Sequence, residues 1–262
     1  MTDPIPIPVT LGGDADHPAL HAVLASLPKD FRPVVTGGAV LAVAGLDALA
    51  TALADMPRGI LLTSVTRGDA DRVRGLADHA AAAGIPVVVA AIWALNPALA
   101  AAADTLRQDL GQAALIELNA TVPPGQPDVL LDQLALLRTT LGPAADLELL
   151  QADDHGHIAH ARLGHVPVHL SAAVSPHATQ RRARLSLLGP VVQWRLSLPD
   201  PATARPAGVV RTDAHGEQRL PTVYESAARA SWRQLHAAAA TGGAAPSYGL
   251  RDLAEDLHLL PS

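Results

Sequence analysis

The chain has 262 residues, 49% of them apolar and 2% aromatic, a formal net charge of −6 and no cysteine. That much apolar content supports a sizeable core and excludes a disordered chain. The acidic balance and the scarcity of rings argue against a nucleic-acid partner. Without cysteine there are no disulfides, thiolate zinc sites or cysteine nucleophiles.

The opening stretch MTDPIPIPVT has no basic segment followed by an apolar one, so no signal peptide is read and a cytoplasmic location is expected. Residues 80–103 carry no charge and are long enough for a membrane span. Gly84, Pro86 and Asn96-Pro97 interrupt them, and the β-branched run Val87 to Val89 between reads as a buried strand, so no membrane partner is expected.

In chain order, strands are expected at Ile5 to Thr10, Arg32 to Thr36, Val40 to Val43, Gly59 to Thr63 and Pro86 to Ile92. Helical spacing is read at Pro18 to Leu27, Leu46 to Ala54, Asp69 to Ala83 and Pro97 to Leu110. Continuous apolar strands between helices imply a parallel sheet covered on both faces. The pattern changes after Gly111. A strand at Ala114 to Thr121 and a helix at Asp128 to Leu141 precede alternating strands at His157 to Leu163, Val166 to Ala173, Arg182 to Leu188 and Val191 to Leu198. Gly164-His165 and Gly189-Pro190 mark hairpin turns. Pro199 to Arg219 reads as loop with an edge strand, followed by helices at Val223 to Ala240 and Tyr248 to Leu260. The expected fold is α/β followed by α+β: a truncated Rossmann-like parallel sheet over 1–112, then an antiparallel-rich open-sheet domain over 113–262.

Several motifs occur in an order that resembles the Gfo/Idh/MocA oxidoreductase family. They are Gly84-Ile85-Pro86-Val87-Val88-Val89 with Asn96-Pro97-Ala98, Leu110-Gly111-Gln112, and Leu130-Leu131-Asp132-Gln133-Leu134-Ala135-Leu136-Leu137-Arg138 closing on Leu141-Gly142. Tyr224-Glu225-Ser226, Thr241-Gly242-Gly243 and Leu250-Arg251-Asp252-Leu253 complete the series. The resemblance implies hydride transfer between NAD(P) and a sugar-like alcohol, and an open sheet that joins a partner subunit, so a homo-oligomer through the C-terminal sheet is expected.

Four features of the family differ here. In place of its G-x-G-x-x-G loop stands Leu11-Gly12-Gly13-Asp14-Ala15-Asp16-His17, where Gly12 and Gly13 survive but two aspartates oppose a pyrophosphate. Only a few residues, including Gly37-Gly38, separate the second and third strands, and Thr36 occupies the place of the ribose-binding acid. Ser64 aligns with the catalytic lysine, and the chain's only lysine, Lys29, falls between the first helix and the second strand. Asp128 and Asp132 align with the aspartate and histidine of the D-x-G-x-H motif. Four apart, they share one helix side, and burial with the neighbouring charge would raise one pKa; the plain alternative is a helix cap at Asp128 and a solvated Asp132.

Five of the 12 histidines fall at His155, His157, His160, His165 and His169. A turn at Gly164-His165 sets His160 opposite His169, but two ligands per face are fewer than a metal site needs, so no metal is expected. No G-x-S-x-G, P-loop or H-E-x-x-H motif is present. The leading expectation is therefore a degraded oxidoreductase-fold protein with no cofactor, acting as a binding or oligomer-partner protein for a small-molecule ligand. The alternatives are an active NAD- or NADP-dependent oxidoreductase with a rebuilt site, and cofactor-independent acid/base chemistry by Asp128 and Asp132.

Overall fold

The computed structural model describes residues 5–16, 18–65, 68–125, 128–201, 203, 205–241 and 246–261. His17, Gly242 and Gly243, singled out in the sequence, lie outside them. The chain forms two compact units, Met1–Ala91 with Ala228–Leu257, and Ile92–Ala227 with His258–Ser262. This division differs from a single boundary after residue 112, for reasons visible inside each unit.

The first unit holds five parallel strands, β1 (Ile7–Leu11), β2 (Phe31–Pro33), β3 (Val40–Val43), β4 (Gly59–Leu62) and β5 (Val87–Val89), in the order β2-β1-β3-β4-β5. Every residue of β4 and β5 is buried, as the unbroken apolar runs require. Between them run α1 (Pro18–Ala25), α2 (Leu46–Ala54) and α3 (Ala70–Ala82). Asp69 caps α3 through the amides of Asp71 and Arg72, and Gly84 just beyond it takes φ +67°. A C-terminal helix of the chain, Ala227–Thr241, also belongs here: Trp232 packs edge-on to Phe31 at 5.1 Å, and Arg58 donates to the carbonyl of Ala239.

The join between β2 and β3 departs most from a complete nucleotide fold. Pro33 and Val40 both stand level with Val9, on its two sides. Six residues therefore carry the chain across β1, where a complete fold would insert a helix and a further strand. The crossing is close. The amide of Gly38 donates to Thr10 Oγ1 at 3.0 Å, and a Cβ on Gly38 would stand 2.4 Å from the Thr10 nitrogen. Gly37 turns the chain at φ +70° with nothing within 4 Å of its Cβ position.

The second unit is built on an eight-stranded sheet. Its strands are β6 (Leu115–Val122), β7 (Ala145–Asp153), β8 (Gly156–Leu163), β9 (Val166–Val174), β10 (Arg182–Leu188), β11 (Gln193–Leu198), β12 (Gly208–Asp213) and β13 (Gly216–Arg219). The order is β13-β12-β11-β10-β6-β9-β8-β7, antiparallel throughout except for the central β6–β9 pair. Alternation along β6 sends Ile116, Leu118, Ala120 and Val122 to one face, where they share a core with α4 (Pro97–Asp109) and α5 (Leu130–Thr140). This shared core is why α4 groups with the second unit. The expected hairpin register is present: Leu163 faces Val166 and His160 faces His169, with ring centroids 5.3 Å apart. The opposite sheet face is polar and carries Arg182, Arg184 and Arg195 exposed. Among the described residues no helix is long and apolar enough to cross a membrane.

The crossing over β1 makes a contrast between adjacent glycines. Gly38→Ala meets backbone and is expected to cost on the order of 3 kcal/mol, in the range of overpacked sites. Gly37→Ala meets only the left-handed conformation and should cost about 1 kcal/mol. Denaturant unfolding of the two variants checks the ranking; equal losses would mean the crossing is not tight.

Candidate functional site

Each unit carries its own candidate region. In the first, Gly12, Gly13, Thr36 and Ser64 all follow the C-terminal ends of parallel strands, the edge where open α/β sheets bind ligands. The amide of Gly12 is tied to the Ala42 carbonyl at 2.9 Å, and Gly13 takes φ +54°. The amides of Ala15 and Asp16 then bond back to Gly12 and Gly13, closing a short 3₁₀ turn before α1. Asp14 and Asp16 are exposed, and Asp16 pairs with His21. Thr36 lies exposed within the crossing. Ser64 is exposed just past β4, where the Gly45 amide donates to the Ser64 carbonyl and Thr63 Oγ1 donates to the Val43 carbonyl. Lys29 is an exposed loop residue.

In the second unit, Asp128 precedes α5 and accepts weakly from the Leu130 amide at 3.4 Å, much as a capping aspartate does. Asp132 is not the solvated partner of that plain reading. Its part-buried carboxylate accepts the Ile92 amide at 2.8 Å. Burial pushes its pKa from 3.8 up to about 6, against the opposing pull of the Ile92 N–H and of Arg181; the nearby Asp128 adds the smallest upward push. The two aspartates are therefore electrostatically coupled, but removal from water sets the shift. A carboxyl titrating near 6 exchanges protons effectively at neutral pH.

The placement of Asp132 depends on neighbours that sequence reading did not select. Thr139, near the other end of α5, donates to the Ala94 carbonyl, so α5 grips the 92–95 turn at two points. Asn96 and Pro97 continue that turn as cap and first residue of α4. Buried Gln133 donates its amide nitrogen to the carbonyls of Leu118 and Ser171, at 3.1 and 2.8 Å. Its oxygen therefore faces His157, whose Nε2 donates at 2.7 Å. The neighbour of Asp132 thus pins α5 to the sheet. Trp93 is buried, and its indole N–H has no partner among the described residues. The doublet Arg181-Arg182 at the start of β10 was the available signal for a cation near Asp132. Among the described residues no group of three or more histidine, aspartate or glutamate side chains is placed to hold a metal.

No family model and no curated protein matches the sequence. The fold does match solved structures. UDP-N-acetylglucosamine 3-dehydrogenase GnnA from Acidithiobacillus ferrooxidans is 13% identical with a TM-score of 0.67, over 97% of this chain and 95% of that one. KijD10, a 3-ketoreductase from Actinomadura kijaniata solved with NADP, is 16% identical with a TM-score of 0.69, over 96% and 95%. A putative oxidoreductase from Magnetospirillum magnetotacticum MS-1 is 15% identical with a TM-score of 0.61, over 97% and 98%. The architecture is that of the Gfo/Idh/MocA oxidoreductases. The expectation that no cofactor is involved is thereby corrected: the same architecture carries NADP in KijD10, so the aspartates of the Gly12–Asp16 turn were too narrow a ground for excluding one.

The residues present fit a dinucleotide at the strand-end edge. Gly13, Gly37 and Gly45 all take positive φ with nothing within 4 Å of their Cβ positions, leaving backbone open to close approach. The opposing feature is charge, from Asp14 and Asp16.

Asp132 yields a stability prediction with a defined sign. Its folded pKa is raised, so the stability it gives as a neutral acid is complete below pH 3.8 and lost as pH rises through about 6. Asp132→Asn keeps a neutral acceptor for Ile92. The variant is expected to be more stable than wild type by up to about 3 kcal/mol at pH 8, at 1.36 kcal/mol per pK unit. The difference should vanish near pH 4. A gap that does not change with pH in parallel urea titrations would refute the raised pKa.

Proposed function

We propose that this chain, which carries the two-unit fold of the Gfo/Idh/MocA oxidoreductases, is an NAD(P)-dependent oxidoreductase acting on a secondary hydroxyl of a sugar-like substrate in the cytoplasm. The observation that carries the reading is Asp132, a part-buried carboxyl raised to about 6 at the position aligned with the family's acid/base residue. A solvated carboxylate would have been a poor proton carrier at neutral pH.

In this reading the turn at Gly12-Gly13 and the loops bearing Thr36, Gly45 and Ser64 hold the dinucleotide in the first unit. When bound, its nicotinamide supplies the hydride acceptor or donor. Asp132 takes the proton from the substrate hydroxyl during oxidation and returns it to the carbonyl oxygen during reduction. The Ile92 N–H holds the carboxylate in place, and Arg181 favours its ionised form. Ser64 contributes a neutral hydroxyl at the lysine's aligned position, able to hydrogen-bond a polar substrate group but not to supply positive charge. That deficit of charge favours the second reading, a protein that binds nucleotide and ligand without turnover.

Two measurements test the proposal. Calorimetric titration with NADH and NADPH should show saturable binding. Asp14→Asn/Asp16→Asn should tighten it about five- to tenfold by removing like charge beside the phosphates. Absence of binding by both proteins would overturn the cofactor assignment. A panel of sugar alcohols and nucleotide-linked sugars with NAD⁺ and NADP⁺ should then identify turnover. Oxidation should rise through pH 6 and reduction should fall above it, because one needs the base and the other the acid. Asp132→Asn should lower kcat by 10²- to 10⁴-fold with nucleotide affinity retained. Nucleotide binding without turnover on any of the panel would favour the second reading.

A further inference from the structure

We infer that the polar face of the eight-stranded sheet, on the side away from α5, holds a binding site for a phosphorylated small molecule, distinct from the Asp132 region. Strands β6, β10, β11 and β12 frame a cavity of about 580 Å³ there, a volume suited to a small ligand. Its polar lining is Asn119, Thr121, Arg182, Arg184, Ser197 and Arg205. Among the described residues no carboxylate lines it.

Register places these groups together. Arg184 stands directly opposite Asn119 on one side and Ser197 on the other, and Arg182 opposite Thr121. Facing residues on adjacent strands lie about 5 Å apart, and alternate residues along a strand share a face about 7 Å apart. Two guanidinium groups thus rise side by side, with hydroxyl or amide donors on neighbouring strands and Arg205 at the rim.

Several arginines of this acidic chain have carboxylate partners: Arg72 with Asp47, Arg74 with Asp71, Arg107 with Asp104, Arg211 with Asp109 and Asp213. Among the described residues, Arg182, Arg184 and Arg205 have none. Three like charges gathered in one cavity repel each other unless an anion joins them. Asn119 is oriented as well. Its Oδ1 accepts from Ser171 Oγ at 2.6 Å, leaving its amide nitrogen as the donor.

The lining therefore offers planar guanidinium forks together with neutral donors, more donors than one carboxylate can satisfy. A phosphate or diphosphate, with several acceptor oxygens and multiple charge, matches them.

Inorganic pyrophosphate titrated calorimetrically into the full chain at fixed ionic strength tests the site. Wild type should bind saturably, and Arg182→Gln/Arg184→Gln should weaken binding at least tenfold. Asp14→Asn/Asp16→Asn, which would tighten pyrophosphate held at the first unit's turn, should leave it unchanged, so that this test stands apart from the oxidoreductase reading. In parallel, NMR of wild type should show the Asn119 side-chain amide shifting with pyrophosphate, a readout that survives if the double variant folds poorly. No saturable binding by wild type, unchanged affinity in a folded double variant, or an unmoved Asn119 amide would each overturn the site.

Discussion

A carboxyl taken out of water and given a single backbone N–H is the constraint on which the functional reading depends. In solution an aspartate is ionised at neutral pH and holds no proton to give. At Asp132, burial opposes ionisation more strongly than the Ile92 amide and Arg181 favour it, and the balance falls near 6. The arrangement requires α5 to stay seated. Gln133 secures it by bonding two sheet carbonyls and His157, and Thr139 holds the preceding turn through Ala94. Sheet, helix and turn together set the protonation of one side chain.

The first unit shows how much of a complete nucleotide fold can be missing while the strand-end edge of the sheet is kept. Crossing β1 in six residues dispenses with a helix and a strand, and the cost falls on Gly38, which has no room for a side chain beside Thr10. What survives is the set of strand ends bearing Gly12, Gly13, Gly45 and Ser64. The backbone at Gly13 and Gly45 is open, while Asp14 and Asp16 set the local charge against phosphate.

Much of the fold was legible because burial writes itself into sequence. The five parallel strands are continuous apolar runs, and the hairpin at Gly164-His165 fixed the His160–His169 register through a glycine turn. The edge strand β7 gave no such signal, since most of its residues are exposed and carry no clean alternation. The other edge, β12 with β13, was read only as loop with an edge strand, because β13 is exposed at every position. The candidate site was legible in part. Alignment pointed to Asp128 and Asp132, but their environments separate them: one sits exposed before the helix and the other is pressed against a turn forty residues upstream. That turn's contribution is a backbone N–H, which no residue type announces. The cofactor expectation failed for a related reason, as it weighed two aspartates in a loop more heavily than the sheet architecture around them. The strand over Arg182 to Leu188 was legible, but only its register with β6 and β11 shows Arg182 and Arg184 sharing a cavity with Asn119 and Ser197.

The most direct measurement of the central claim is the titration of the Asp132 side-chain carboxyl, followed by its ¹³C chemical shift in selectively labelled protein and assigned by comparison with Asp132→Asn. A midpoint near 6 is expected, well separated from the other aspartates. A midpoint near 4 would place Asp132 in water, remove the proton carrier from the site, and contradict the account.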